Sequence, residues 1–147
     1  MGVPRMVHKF VRIAGAGFLA LFAAVVPALA VGSMLEGAYS EAQAARGEVL
    51  FTANCAPCHG NDLRGDDFYF PPLSGGEFTS KWRGRSLGDL FAFVTTYMPN
   101  DFPGTLDAQA YADAIAYILK FDGYPAGEAE LPPGRELLNG VRFVTLP

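Results

Sequence analysis

Cysteine, histidine and tryptophan are scarce in this chain, with two, two and one in 147 residues. Two cysteines cannot supply the second ligand pair of a structural zinc site, and no third cysteine exists to help. Strand-like patterning is missing as well. No segment sustains a period-two alternation of apolar and polar residues, which removes the main signal for a sheet protein. There is no internal repeat and no low-complexity tract.

Charge is absent from Ile13 to Leu35. Arg5, Lys9 and Arg12 precede this run, and Ala28-Leu29-Ala30 within it fits a small-residue cleavage site. Residues 1–30 therefore read as a secretory signal peptide. The rival reading is an uncleaved N-terminal anchor, because the uncharged run is long enough to span a bilayer. Both readings place the remainder outside the cytoplasm: in the periplasm, or facing it from the inner membrane. Removing the leader leaves 8 basic and 15 acidic residues, a net charge of −7. Nucleic acid and anionic lipid are poor partners for such a surface, and a protein with a basic docking patch is a better one. A membrane enters only if the N-terminal segment stays attached.

What remains is one small domain with three helical signals. The first runs from Glu41 to Asn54, with Ser40 as N-cap and an apolar face expected at Ala42, Ala45, Val49, Phe51 and Ala53. Gly47 inside it is about 1 kcal/mol worse than alanine, which fits either a close helix crossing or simple tolerance. The second begins at Ser86, whose spacing to Asp89 suggests a capping box. Leu87, Leu90, Phe91, Val94 and Met98 form its stripe, and Pro99 ends it. The third follows the N-cap Asp107 and buries Tyr111, Ala114, Ile115, Ile118 and Leu119 before Asp122-Gly123. Residues 60–85 read as a long loop that needs something to wrap. Residues 31–40 read as a linker, 41–127 as the domain, and 128–147 as a tail packed on the surface.

Both cysteines fall in Cys55-Ala56-Pro57-Cys58-His59, a C-x-x-C-H motif. This spacing is the attachment signature of a c-type haem. Thiols three positions apart share one face of a helical turn, where both can bond the vinyl groups of one flat ligand. His59 can then place a ring nitrogen on iron. A thiol-disulfide enzyme is the competitor. Such a site usually carries tryptophan before and a basic residue after the pair, where this chain has Asn54 and His59. One motif means one haem. After leader removal no other histidine remains, and Met98 is the methionine inside the helical region. Met98 is therefore the candidate distal ligand, giving a closed His/Met site suited to electron transfer. The alternative is a haem enzyme or gas-binding protein with a displaceable sixth ligand.

In order, Gly47 and Phe51, Cys55-x-x-Cys58-His59, Pro71-Pro72-Leu73, Trp82, Met98-Pro99 and Ile115-Ala116-Tyr117-Ile118 resemble a class I mono-haem cytochrome c. The resemblance implies an all-α cytochrome c fold of three main helices and long loops around one covalent haem c. It implies that the first and last helices cross where Gly47 and Phe51 meet Tyr117. It further implies that Pro71, or Pro72, offers a carbonyl to the distal nitrogen of His59, and that Trp82 bonds a haem propionate, with Arg83, Arg85 and Tyr97 as further propionate candidates. The run Trp82–Phe91, with Met98-Pro99, Pro103-Gly104 and Tyr117–Leu119, is similar to cytochrome modules paired with quinoprotein alcohol dehydrogenases. That narrower likeness implies a quinoprotein dehydrogenase as electron donor and an oxidase or another cytochrome as acceptor. On this reading the chain is an electron carrier and not itself an enzyme, although it fits a cytochrome subunit of one.

Overall fold

A computed structural model describes residues 1–2, 32–66 and 68–147. The expected signal peptide or anchor falls on residues 1–30, almost wholly outside the described residues. Among the described residues the fold is all-α. It comprises α1 (Glu41–Asn54), α2 (Ala56–His59), α3 (Gly75–Trp82), α4 (Leu87–Tyr97), α5 (Ala108–Phe121), α6 (Arg135–Leu138) and a 3-10 turn at Met34–Glu36. No strand forms among them; three isolated bridges pair Ser33 and Ser86 with Arg142, and Ser40 with Gly127. No helix among the described residues is long and apolar enough to cross a membrane.

The three expected helices begin where their caps stand. Ser40 accepts from the Gln43 N–H at 3.1 Å, and Asp107 accepts from the Ala110 N–H at 2.8 Å. Ser86 and Asp89 complete a reciprocal capping box. Each cap satisfies backbone donors that would otherwise face no partner.

Helices α1 and α5 pack against each other at Gly47. A Cβ there would overlap the Asp113 carbonyl and sit 3.0 Å from Tyr117 Cβ. Backbones come this close only because glycine leaves the space. Beside the crossing, the Phe51 and Tyr117 rings are tilted at 51° with centroids 5.2 Å apart.

The apolar face expected for α1 is corrected, Phe51 excepted. Ala42, Ala45, Val49 and Ala53 are exposed, and the helix buries Gln43, Ala44, Gly47 and Phe51. Gln43 tolerates complete burial because its amide is saturated. It donates to Asp113 at 3.1 Å and to the Leu131 carbonyl at 3.0 Å, and accepts from the Leu131 N–H at 2.7 Å.

Two further expectations are corrected. Of the expected linker 31–40, residues 32–40 contribute to the core, and so does 128–147, expected as a tail packed on the surface. Met34, Leu131, Leu138 and Phe143 are fully buried. The two segments pair through Met34 N–H to the Arg142 carbonyl at 3.2 Å and Arg142 N–H to the Gly32 carbonyl at 3.0 Å. A buried irregular segment needs such bonds for its backbone. Arg46 adds an ion pair to Glu130 at 2.8 Å and one to Asp113 at 2.9 Å, fastening the chain after Gly127 to the helix crossing.

The expected loop 60–85 contains a helix, α3. It opens on Gly75-Gly76 without a side-chain cap of its own. Its first N–H is instead taken by Asp122, at the end of α5, at 2.7 Å. The helix buries Phe78 and Trp82, one turn apart, toward the interior.

Candidate functional site

Between these helices lies a cleft of about 690 Å³ whose lining includes Cys55, Cys58, His59, Pro71, Trp82 and Met98. The volume falls within the range of sites that enclose a small organic ligand. Leu73, Phe78, Leu90, Val94, Ile115 and Ile118 make the walls mostly apolar. Of the site residues singled out from sequence, Arg83, Arg85 and Tyr97 lie outside this lining.

The cysteine end is built by α1 running into α2. Cys55 donates its N–H to the Phe51 carbonyl at 2.8 Å, and His59 donates to the Cys55 carbonyl at 2.9 Å. One tight turn therefore carries both thiols and the imidazole to the same cleft. The thiols are not bonded to each other. Burial, with the neighbouring Cys58, pushes the Cys55 thiol up to about 11. A working thiol-disulfide centre needs the opposite shift, toward thiolate at neutral pH.

His59 is buried. Its Nδ1 lies 2.9 Å from the Pro71 carbonyl. The carbonyl can only accept, so Nδ1 carries the proton and Nε2 keeps its lone pair free for a metal. Burial pushes the imidazole below its ordinary pKa, and the Pro71 contact works against that. Phe70 packs edge-on against the ring at a centroid distance of 6.2 Å.

Met98 enters from another segment. Its N–H still belongs to α4, bonded to Val94 at 2.9 Å. Its own backbone is already extended, at φ −120° and ψ 153°. A residue before proline is driven there by the proline ring. The helix thus stops at Met98, a residue that lines the cleft.

Trp82 is 2% exposed and packs edge-on against Phe93 at 5.6 Å. Arg85, named from sequence as a propionate candidate, stands beside Trp82. It is exposed, and its guanidinium stacks on Trp82 at 5.5 Å from the centroid, outside the cleft lining. The cation that does line the cleft is Lys81, whose ammonium lies 5.2 Å from the Phe93 centroid. Sequence reasoning missed it along with α3. With that helix recognised, Lys81 stands three residues after Phe78 and therefore on the same side. Tyr97 is half exposed and lies away from the cleft lining.

The donor set suits a planar, largely apolar cofactor held by two thiols, with one imidazole and one thioether available to a soft metal. No group of three or more carboxylate, histidine or cysteine side chains among the described residues is placed to hold a bare metal ion. A family model described as cytochrome C oxidase, cbb3-type, subunit III, matches residues 42–118, which include every residue of the expected site. No curated protein matches the chain.

Proposed function

We propose, on the premise that the chain belongs to the family of cytochrome c oxidase, cbb3-type, subunit III, that it carries one haem c in the cleft and passes electrons through it. At family level the chain is a c-type cytochrome, a haem-carrying electron-transfer protein. The finer reading rests above all on one observation: a single cleft is lined by Cys55, Cys58, His59 and Met98. Cys55 and Cys58 hold the haem by thioether bonds, His59 is the proximal ligand through Nε2, and Met98 is the distal ligand. The bound haem supplies a one-electron ferric/ferrous couple, and thioether ligation raises its potential.

The surrounding residues orient and shield. Pro71 fixes the His59 ring and makes the imidazole a stronger donor by holding its Nδ1 proton. Trp82 offers its indole N–H, and Lys81 its ammonium, to the acidic edge of the cofactor. The apolar walls exclude water from the iron. With His59 and Met98 both committed to the metal, no position would remain for a substrate, as suits a carrier.

The site of action is the periplasm, reached through the N-terminal segment as a signal peptide or anchor. A quinoprotein dehydrogenase is the donor and an oxidase or another cytochrome the acceptor. The acidic chain favours a weak, salt-sensitive complex with a basic partner face.

The test is spectroscopic. Haem should stay with the chain in a denaturing gel. The ferric protein should show the weak far-red sulfur-to-iron band, and Met98→Ala should lose it. Immediate binding of carbon monoxide by the ferrous wild type would defeat the carrier reading in favour of an open iron site.

A further inference from the structure

Met98 is fixed by more than its own helix. Its N–H bonds back to Val94 within α4, while its carbonyl accepts the Tyr111 hydroxyl at 2.7 Å and the Gly104 N–H at 3.2 Å. Tyr111 is 3% exposed and stands in the first turns of α5. The loop beyond Met98 holds itself through Phe102 N–H to the Pro99 carbonyl at 3.0 Å and the Thr105 hydroxyl to the Phe102 carbonyl at 2.8 Å. Those bonds are internal to the loop. The phenol is what joins Met98 to a different element, the helix that crosses α1 at Gly47.

We propose that Tyr111 is a positioning residue for Met98: its phenol pins the Met98 carbonyl to α5 and so keeps the thioether in the cleft. The inference rests on Met98 being the distal ligand. A buried phenol needs an acceptor, and the half-buried Met98 carbonyl loses stability when its better donor is removed. Tyr111→Phe keeps the ring and leaves the carbonyl with the longer bond from Gly104. The loop can then swing outward more readily, and an external ligand competes better for the vacated position. One net hydrogen bond corresponds to about a tenfold change in that competition.

The experiment titrates haem-loaded ferric protein with imidazole, following the far-red band, in wild type, Tyr111→Phe, Tyr124→Phe and Met98→Ala. Tyr124→Phe is the control, since it removes a phenol-to-carbonyl bond of the same 2.7 Å length, to Val144 and away from Met98. Tyr111→Phe should lose the band at about tenfold less imidazole, and Tyr124→Phe at the wild-type concentration. An unchanged midpoint in Tyr111→Phe overturns the proposal, and so does an equal shift in Tyr124→Phe. Should the band survive Met98→Ala, the distal ligand is not Met98, and the ligation and the positioning role fall together.

Discussion

The loop after His59 is bonded to itself at nearly every step, whereas the loop after Met98 leans on a neighbouring helix. On the histidine side, Gly65 N–H reaches the His59 carbonyl, Asp66 N–H the Phe70 carbonyl and Leu73 N–H the Leu63 carbonyl, each at 2.8 Å. The Asp66 carboxylate also accepts from the N–H groups of Phe68, Tyr69 and Phe70. Leu63 is fully buried beneath the loop even though its φ is 57°, a left-handed value uncommon for leucine. On the methionine side, the bond that reaches another element is the Tyr111 phenol to Met98. The thiols and the imidazole thus sit on a segment that holds its shape by local bonds. The thioether sits on one whose position is set from outside. On the proposed ligation, attachment would be insulated from disturbance elsewhere, and distal ligation would not.

Three substitutions test this contrast through stability, and the largest effect falls on the histidine side. Gly65 has φ 65°, and a Cβ there would overlap the Phe70 carbonyl, a backbone atom that the loop cannot move aside. Gly65→Ala should lose more than about 3 kcal/mol, from left-handed strain plus a forced rearrangement. Urea denaturation measures it; a loss under about 1 kcal/mol would show the loop to be pliable. Leu63→Ala should come next, at about 3 kcal/mol for emptying a fully buried site, read from the same midpoint. Gly104 is the counterpart on the methionine side, also left-handed at φ 72°, but its Cβ would meet only the Thr95 carbonyl at 3.5 Å, an ordinary contact. Gly104→Ala should therefore cost about 1 kcal/mol, the backbone strain alone. If it matched Gly65→Ala, the two loops would be equally rigid and the contrast would fail.

The same division between local and distant bonds decides what could be read from the chain. The ends of α1, α4 and α5 were legible because Ser40, Ser86 with Asp89, and Asp107 cap from positions adjacent in sequence. The C-x-x-C-H turn is equally local. Helix α3 was not legible, because its opening N–H is capped by Asp122, 47 residues away, and its first two residues are poor helix formers. The buried face of α1 was misjudged because Gln43 is made burial-compatible by Asp113 and Leu131, 70 and 88 residues distant. Burial of Met34 and Phe143 was invisible for a related reason: both lie in irregular segments whose apolar residues follow no helical or strand period. Arg83 and Arg85 were named as neighbours of Trp82, and Lys81 was passed over. Only the orientation of α3 places Lys81 at the cleft and Arg85 outside it.

The smallest effect expected is the most local one. Asp66 is exposed, and its carboxylate pKa is held below the usual range by the backbone N–H groups of Phe70, Tyr69 and Phe68, in that order. A carboxylate depressed by folding stabilises the fold at all pH values above its ordinary pKa. That contribution disappears as pH falls through the lower folded value. Protection of the Phe68–Phe70 amides from hydrogen exchange should therefore hold through neutral and mildly acidic pH and collapse only in strong acid. Asp66→Asn keeps an acceptor oxygen but loses the charge, so it should retain part of this protection and remove the acid dependence. Asp66→Ala should lower protection at these three amides about tenfold while leaving the imidazole midpoint for Met98 displacement at its wild-type value. A shift in that midpoint would mean that the histidine loop feeds into distal ligation after all. The two sides of the cleft would then have to be treated as one mechanical unit.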